Sequence, residues 1–178
     1  MTNFNYFKTQ DMALAPQYST EQASCFDLCA CLVPESSITG FNRFNEKIWS
    51  ESVVSSGGSI TLYPQDRMLI PTGLVFNIPD GYSIRIHPRS GISFKNGIQL
   101  ANCEGVIDSD YYHETFVALV NISDVPFTIK HGDRIAQAEL VQDLGAKFSE
   151  TTERPEMRTN RQGGFGSTGI ETVEKSND

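Results

Sequence analysis

The chain has little with which to grip a polyanion or a bilayer. Its fourteen Lys and Arg face twenty-two Asp and Glu, a net charge of −8 with histidine neutral. Nonspecific affinity for nucleic acid or anionic lipid comes from clustered bases, so neither partner is expected. No apolar run approaches the ~20 residues that span a bilayer as a helix, and no membrane segment is expected either. A small polyanion can still bind where local bases, backbone amides or a divalent cation offset the field. Cysteine is scarce: Cys25, Cys29, Cys31 and Cys103 form no Cys-x-x-Cys pair. No basic, apolar, small-residue leader precedes them, and a cytoplasmic chain with reduced thiols is expected. Cys29 and Cys31, two apart, are expected to share one face of a strand, where a zinc site would need more ligands than they offer.

What is present is alternation. Ile60 and Leu62, Met68 and Ile70, Leu74, Phe76 and Ile78, then Tyr82, Ile84 and Ile86 mark successive strands. Tyr63-Pro64-Gln65-Asp66, Pro71-Thr72-Gly73 and Pro79-Asp80-Gly81 break them. The series resumes over Phe116 to Val120, Phe127 to Ile129 and Ile135 to Val141. Strands punctuated every 8 to 12 residues by turn chemistry predict an all-β barrel or sandwich. Ala136, Gln137, Ala138 and Glu139 are good helix formers, but the surrounding strands favour a strand there. At 178 residues the chain fits one domain over 1–150 with a flexible arm over 151–178. Residues 35–58, Ser- and Asn-rich and carrying the single tryptophan, Trp49, read as a long hairpin or lid.

Chemistry concentrates in a few stretches. In Gly105-Val106-Ile107-Asp108-Ser109-Asp110-Tyr111 an apolar strand runs into acids and an aromatic. Gly105 suggests a strand end or hairpin with a close backbone approach, which puts Asp108 at the rim of a buried sheet. A carboxylate there can serve as a general base, or Asp-Ser-Asp can be a solvated turn. Asp27 stands alone in the apolar run Ala23 to Val33, where an unpartnered acid is costly; it faces a solvated edge or supports a metal or phosphate site. Pro88-Arg89-Ser90-Gly91 precedes a helical turn or two, whose opening amides, with Arg89, can hold a phosphate or simply cap a surface helix. The arm carries Arg161, Gly163, Gly164, Phe165, Gly166, Ser167, Thr168 and Gly169. Glycine amides, hydroxyls and a guanidinium suit phosphate oxygens, and a phenylalanine with no local core suits a flat base. A plain flexible linker is the other reading.

Together these segments resemble the trimeric dUTP diphosphatase (dUTPase) family. Ser24 to Leu28 is similar to its first motif, Pro88 to Ser93 to its second and Gly105 to Tyr111 to its third. Gly132-Asp133-Arg134-Ile135-Ala136-Gln137 is similar to the fourth and Arg161 to Gly169 to the fifth. The resemblance implies a distorted jelly-roll or β-barrel with one short helix, a glycine-rich C-terminal arm and a homotrimer with sites shared between subunits. It implies hydrolysis of dUTP to dUMP and pyrophosphate, limiting uracil in DNA and supplying dUMP for dTMP synthesis. Asp108 would activate the attacking water, and Tyr111 would lie against the deoxyribose and exclude a 2′-hydroxyl. Gly105, Val106 and Ile107 would read the uracil largely through backbone atoms, and Asn102 stands at a position that helps bind substrate in some members. Arg89, Ser90, Gly91, Gln137, Arg161, Gly166, Ser167 and Thr168 would contact phosphates, and Phe165 would cover the base. Asp27 would hold waters of a triphosphate-bound Mg²⁺.

Three departures mark this chain. Asn160 stands five residues before Phe165, where the family usually has its arginine; Tyr112-His113-Glu114 replaces a small turn; and residues 35–58 exceed the common spacing and could contact a protein partner. A related dCTP deaminase would need a glutamate ten residues after Asp108, where Ala118 stands. A regulatory protein on the same fold, binding a partner through the insertion, is the remaining alternative.

Overall fold

The computed structural model describes residues 3–48 and 54–160. The chain divides into two units, Met1–Gly145 and Ala146–Asp178. The described residues of the second, 146–160, are exposed and hold no helix or strand.

Thirteen strands and one helix form the described part of the first unit. In chain order they are β1 (Asn5–Lys8), β2 (Gln17–Tyr18), β3 (Phe26–Cys29), β4 (Gly40–Phe41), β5 (Ser59–Leu62), β6 (Arg67–Pro71) and β7 (Leu74–Asn77). Then come β8 (Tyr82–His87), α1 (Ser90–Asn96), β9 (Ile98–Leu100), β10 (Gly105–Ile107), β11 (Phe116–Asn121), β12 (Phe127–Lys130) and β13 (Arg134–Gln142). A five-stranded sheet runs β10-β8-β13-β3-β2 and a four-stranded sheet runs β4-β6-β11-β9; β1 pairs with β7 and β12 with β5. Every pairing is antiparallel. The all-β fold is what the alternation predicts, and the one short helix follows Arg89 where a helical turn is expected.

Period-2 patterning explains which side of each strand is dry. Phe26 and Leu28 of β3, Ile84 and Ile86 of β8, Ala136 and Ala138 of β13 and Ile107 of β10 point into one core. Met68 and Ile70 of β6 and Val117 and Leu119 of β11 enter it from the other sheet. The helix-forming residues of β13 are overridden by this context. A register shift between Arg134 and Ala136 lets Ile135 and Ala136 both be buried, as a β-bulge allows.

Three details refine the sequence reading. Of the strand end or hairpin expected at Gly105, the structure has the strand end: β9 pairs with β11 and β10 with β8, so the loop 101–104 carries the chain from one large sheet to the other. Cys29 and Cys31 do not share a strand face, because β3 ends at Cys29. The Cys31 amide then donates to the Pro71 carbonyl at 2.8 Å, and its side chain is buried. The insertion is anchored on the core: Ile38, Ile48 and Val54 are buried, and Phe41 bridges to Lys47 in a short hairpin. Its tip is shaped by Asn42, whose Oδ1 accepts the amides of Phe44 and Glu46, each at 3.0 Å. Trp49 lies outside the described residues.

Candidate active site

At the end of β10 a cavity of about 330 Å³ opens between the two large sheets. Asn102, Gly105, Val106, Ile107, Asp108 and Tyr111 line it, joined by Leu69, Ile86, Thr115, Phe116 and Ala118. Six residues singled out in the sequence thus converge on one cavity. Gly105 earns its place: a Cβ there would come within 3.0 Å of the Ile86 Cβ across the β10–β8 pairing. The strand therefore lies tight against β8, where only a residue without a side chain fits. After Ile107 the chain turns, with the Tyr111 amide donating to the Asp108 carbonyl at 3.1 Å. Asp108 is exposed, and no hydrogen bond or ion pair holds its carboxylate among the described residues. Thr115, 2% exposed, has a hydroxyl with no partner among the described residues.

A second constellation lies across the five-stranded sheet. Gln17, Asp27, Gln137 and His87 are successive register partners over β2, β3, β13 and β8, and their side chains leave the sheet on the face opposite the core. Asp27 is clamped. Arg89 Nε lies 3.0 Å from its Oδ1, and Arg134 Nη1 lies 3.1 Å from its Oδ2. The Ser19 hydroxyl donates to Oδ2 at 2.8 Å. Arg89 also donates to the Arg134 carbonyl at 3.1 Å, and Gln137 Nε2 donates to the Pro88 carbonyl at 3.1 Å. These contacts resolve the puzzle of an acid in an apolar strand: two guanidiniums and a hydroxyl compensate it. Arg134 and Ser19 were not foreseen. Arg134 sits inside the fourth motif, but its partner is set by strand register 107 residues away.

Arg89 also precedes α1. It is the N-cap residue, extended at φ −94° and ψ 127°, and makes no side-chain cap bond; Ser90 and Gly91 are the first helical residues. The side chain of Arg89 therefore leaves the first-turn amides uncapped, the arrangement that lets a helix start meet an anion. Further along the same face, His87 lies 3.1 Å from Glu139 and 3.6 Å from Glu104. Burial pushes the Cys29 thiol above its ordinary range, reinforced by Asp27 and opposed by Arg134 and Arg89.

The two constellations stand apart in one chain. Three strand spacings and three residues of rise separate Asp27 from the end of β10, roughly 17 Å. Asp27 also lines its own cavity of about 440 Å³, together with Gln17, Ser19, Cys29 and Arg134. Arg161, Phe165, Gly166, Ser167 and Thr168 lie outside the described residues. No cluster of three or more His, Cys, Asp or Glu that could hold a metal forms among the described residues. Asp27 still suits a hydrated Mg²⁺. A carboxylate offers about four lone-pair sites, of which three are taken, and Mg²⁺ bound to phosphates keeps most of its waters.

A sequence profile of the dUTPase family matches residues 54–169. Deoxyuridine 5′-triphosphate nucleotidohydrolase of Desulfotalea psychrophila is 37% identical over 163 residues, covering 92% of this chain and 91% of that protein. The enzyme of the same name from Finegoldia magna is 44% identical over 137 residues, covering 72% and 95%. Among solved structures, a mutant dUTPase of Staphylococcus bacteriophage 80alpha with dUpNHpp superposes with a TM-score of 0.73 at 18% identity, over 96% of this chain and all of that one. The Streptococcus mutans dUTPase gives 0.61 at 21% identity, over 83% and 100%. These structures share the fold.

Proposed function

The chain belongs to the dUTPase family, and from that premise we propose that it hydrolyses dUTP to dUMP and pyrophosphate. The single observation that carries the reading is the cavity at the end of β10. The backbone of Gly105–Ile107 can read a uracil edge, Tyr111 stands at the mouth, and at Asp108 follows a carboxylate with no partner among the described residues. Asp108 takes a proton from a water, and that oxygen attacks the α-phosphorus as the bond to the pyrophosphate leaving group breaks. Asn102 assists at the base. Arg89, Ser90, Gly91 and Gln137 bind the phosphate chain, with guanidinium and first-turn amides meeting the charge that develops. When bound to the triphosphate, Mg²⁺ would supply further charge neutralisation, and Asp27 would hold one of its waters. From the arm, Arg161, Gly166, Ser167 and Thr168 meet the phosphates and Phe165 covers the base, excluding water.

The working unit in this reading is a homotrimer. Asp108 and Asp27 line different cavities of one chain, and in this reading one copy supplies the cavity and Asp108 while another supplies the Asp27 constellation. The setting is cytoplasmic, consistent with free thiols at all four cysteines. Among the described residues no helix is long and apolar enough to cross a membrane. The insertion, with Phe44 exposed at its hairpin tip, is the surface proposed for a protein partner.

Pyrophosphate release with Mg²⁺ across the nucleoside triphosphates tests the assignment. Release from dUTP at least about a hundredfold faster than from dCTP or UTP is expected, and equal rates would remove the pocket argument.

A further inference from the structure

Tyr111 owes its position to a chain of contacts that begins outside its own loop. Its hydroxyl donates to the Glu114 carbonyl at 3.1 Å, and His113 packs edge-on against its ring at 5.6 Å. The Glu114 carboxylate is held by two donors from elsewhere in the fold. The Gly73 amide donates to Oε1 at 2.8 Å and the Thr9 hydroxyl to Oε2 at 3.3 Å. Gly73 forms the β6–β7 turn at φ +70°, where a Cβ would lie 2.5 Å from the Ala13 Cβ and 2.9 Å from the Cys31 Sγ. That turn has room for one shape and one residue. The strand that follows Glu114 is laced to the same turn: the Thr72 hydroxyl donates to the Thr115 carbonyl at 2.7 Å, and the Thr115 amide donates to the Leu74 carbonyl at 2.8 Å.

Glu114 does not line the cavity, whereas Tyr111 does. The carboxylate therefore acts on the cavity only through the loop it pins. With both bonds made, the Glu114 carbonyl is fixed relative to a rigid turn, and the tyrosine hydroxyl has one place to donate. Without them, the loop between β10 and β11 is held only at its two ends, by the turn at Asp108–Tyr111 and by the bonds of Thr115 to Thr72 and Leu74, and the ring between those ends can drift away from the cavity mouth.

Resting on the reading above, we propose that Glu114 is a positioning residue that sets the Tyr111 ring and, through it, rejection of the 2′-hydroxyl. The mutation that tests this is Glu114→Ala, compared with Glu114→Gln. Glutamine keeps an acceptor for the Gly73 amide, and its NH₂ can donate to the Thr9 hydroxyl oxygen. The readout is the ratio of kcat/KM for dUTP to that for UTP, which does not depend on how much of the protein is folded. In Glu114→Ala the ratio falls about tenfold or more, since a shift on the order of 1 Å at a positioning group is felt that strongly. In Glu114→Gln it stays within about threefold of the parent. An unchanged ratio in Glu114→Ala would overturn the proposal. Should that variant fail to fold, Glu114→Asp, one methylene too short to reach Gly73, carries the same expectation and the same refutation. Hydrogen exchange of the amides over 108–115 provides a second readout: about tenfold faster opening is expected in Glu114→Ala, and unchanged exchange would overturn the latch. A parent protein that does not prefer dUTP would sink the functional reading instead, while the exchange measurement still judges the latch.

Discussion

Asp27 and Asp108 are the two carboxylates on which the proposed chemistry turns, and the fold treats them in opposite ways. Asp27, with a side chain 13% exposed, accepts from Arg89, Arg134 and Ser19. Asp108, exposed at the end of a three-residue strand, has no partner for its carboxylate among the described residues. An acid so committed can hold and orient, and it ties three separate chain segments into one charged surface. An acid with no such commitment is free to take a proton. The difference teaches that position in an apolar strand does not by itself make a catalytic group; the set of donors around it decides its work.

The sharpest way to break this contrast is Asp108→Asn. Turnover is expected to fall about a thousandfold, the scale of a lost general base, while binding of a non-hydrolysable dUTP analogue changes by no more than a few-fold. Steady-state kinetics alongside calorimetry checks both halves, and full activity would show that Asp108 is not the base. Asp27→Asn should do less to the rate and more to the metal requirement. About a ten- to hundredfold loss in kcat/KM is expected, with more Mg²⁺ needed for half-maximal rate, as when a group orienting a metal site is lost. Denaturant unfolding of the same variant should show a loss of about 1–3 kcal/mol, because two guanidiniums lose their acceptor. A variant with unaltered stability and Mg²⁺ dependence would mean the clamp is ornamental. The smallest effect concerns a buried hydroxyl that has no partner among the described residues. Thr115→Val replaces a buried, unpartnered hydroxyl with a methyl, and stability should rise by about 1 kcal/mol. A fall in thermal midpoint would show that the hydroxyl has a partner in solution.

Much of this was legible in the residues themselves. Alternation at Ile60 and Leu62, Met68 and Ile70, and Ile84 and Ile86 gave the strands, because period 2 is a local property of a half-buried sheet. The stretch from Gly105 to Tyr111 was legible for the same reason: a strand, its tight approach and the turn after it are contiguous. What escaped was set by pairing across the chain. Arg134 meets Asp27 only because β13 lies beside β3 with a bulge at Ile135, and no local pattern encodes that register. Cys29 and Cys31 parted faces because the strand stops and the chain crosses to Pro71. Glu114 looked like a turn variation, since Thr9 and Gly73, its partners, are 105 and 41 residues distant.

Complementation between impaired chains tests the central claim most directly, because Asp27 and Asp108 are proposed to complete one site from different copies. Asp108→Asn and Asp27→Asn proteins, unfolded and refolded together in equal amounts, should regain about a quarter of parental dUTP turnover, the share of sites that receive both intact residues when subunits assort at random. Activity no greater than the mean of the two variants, in mixed trimers verified by mass, would contradict it.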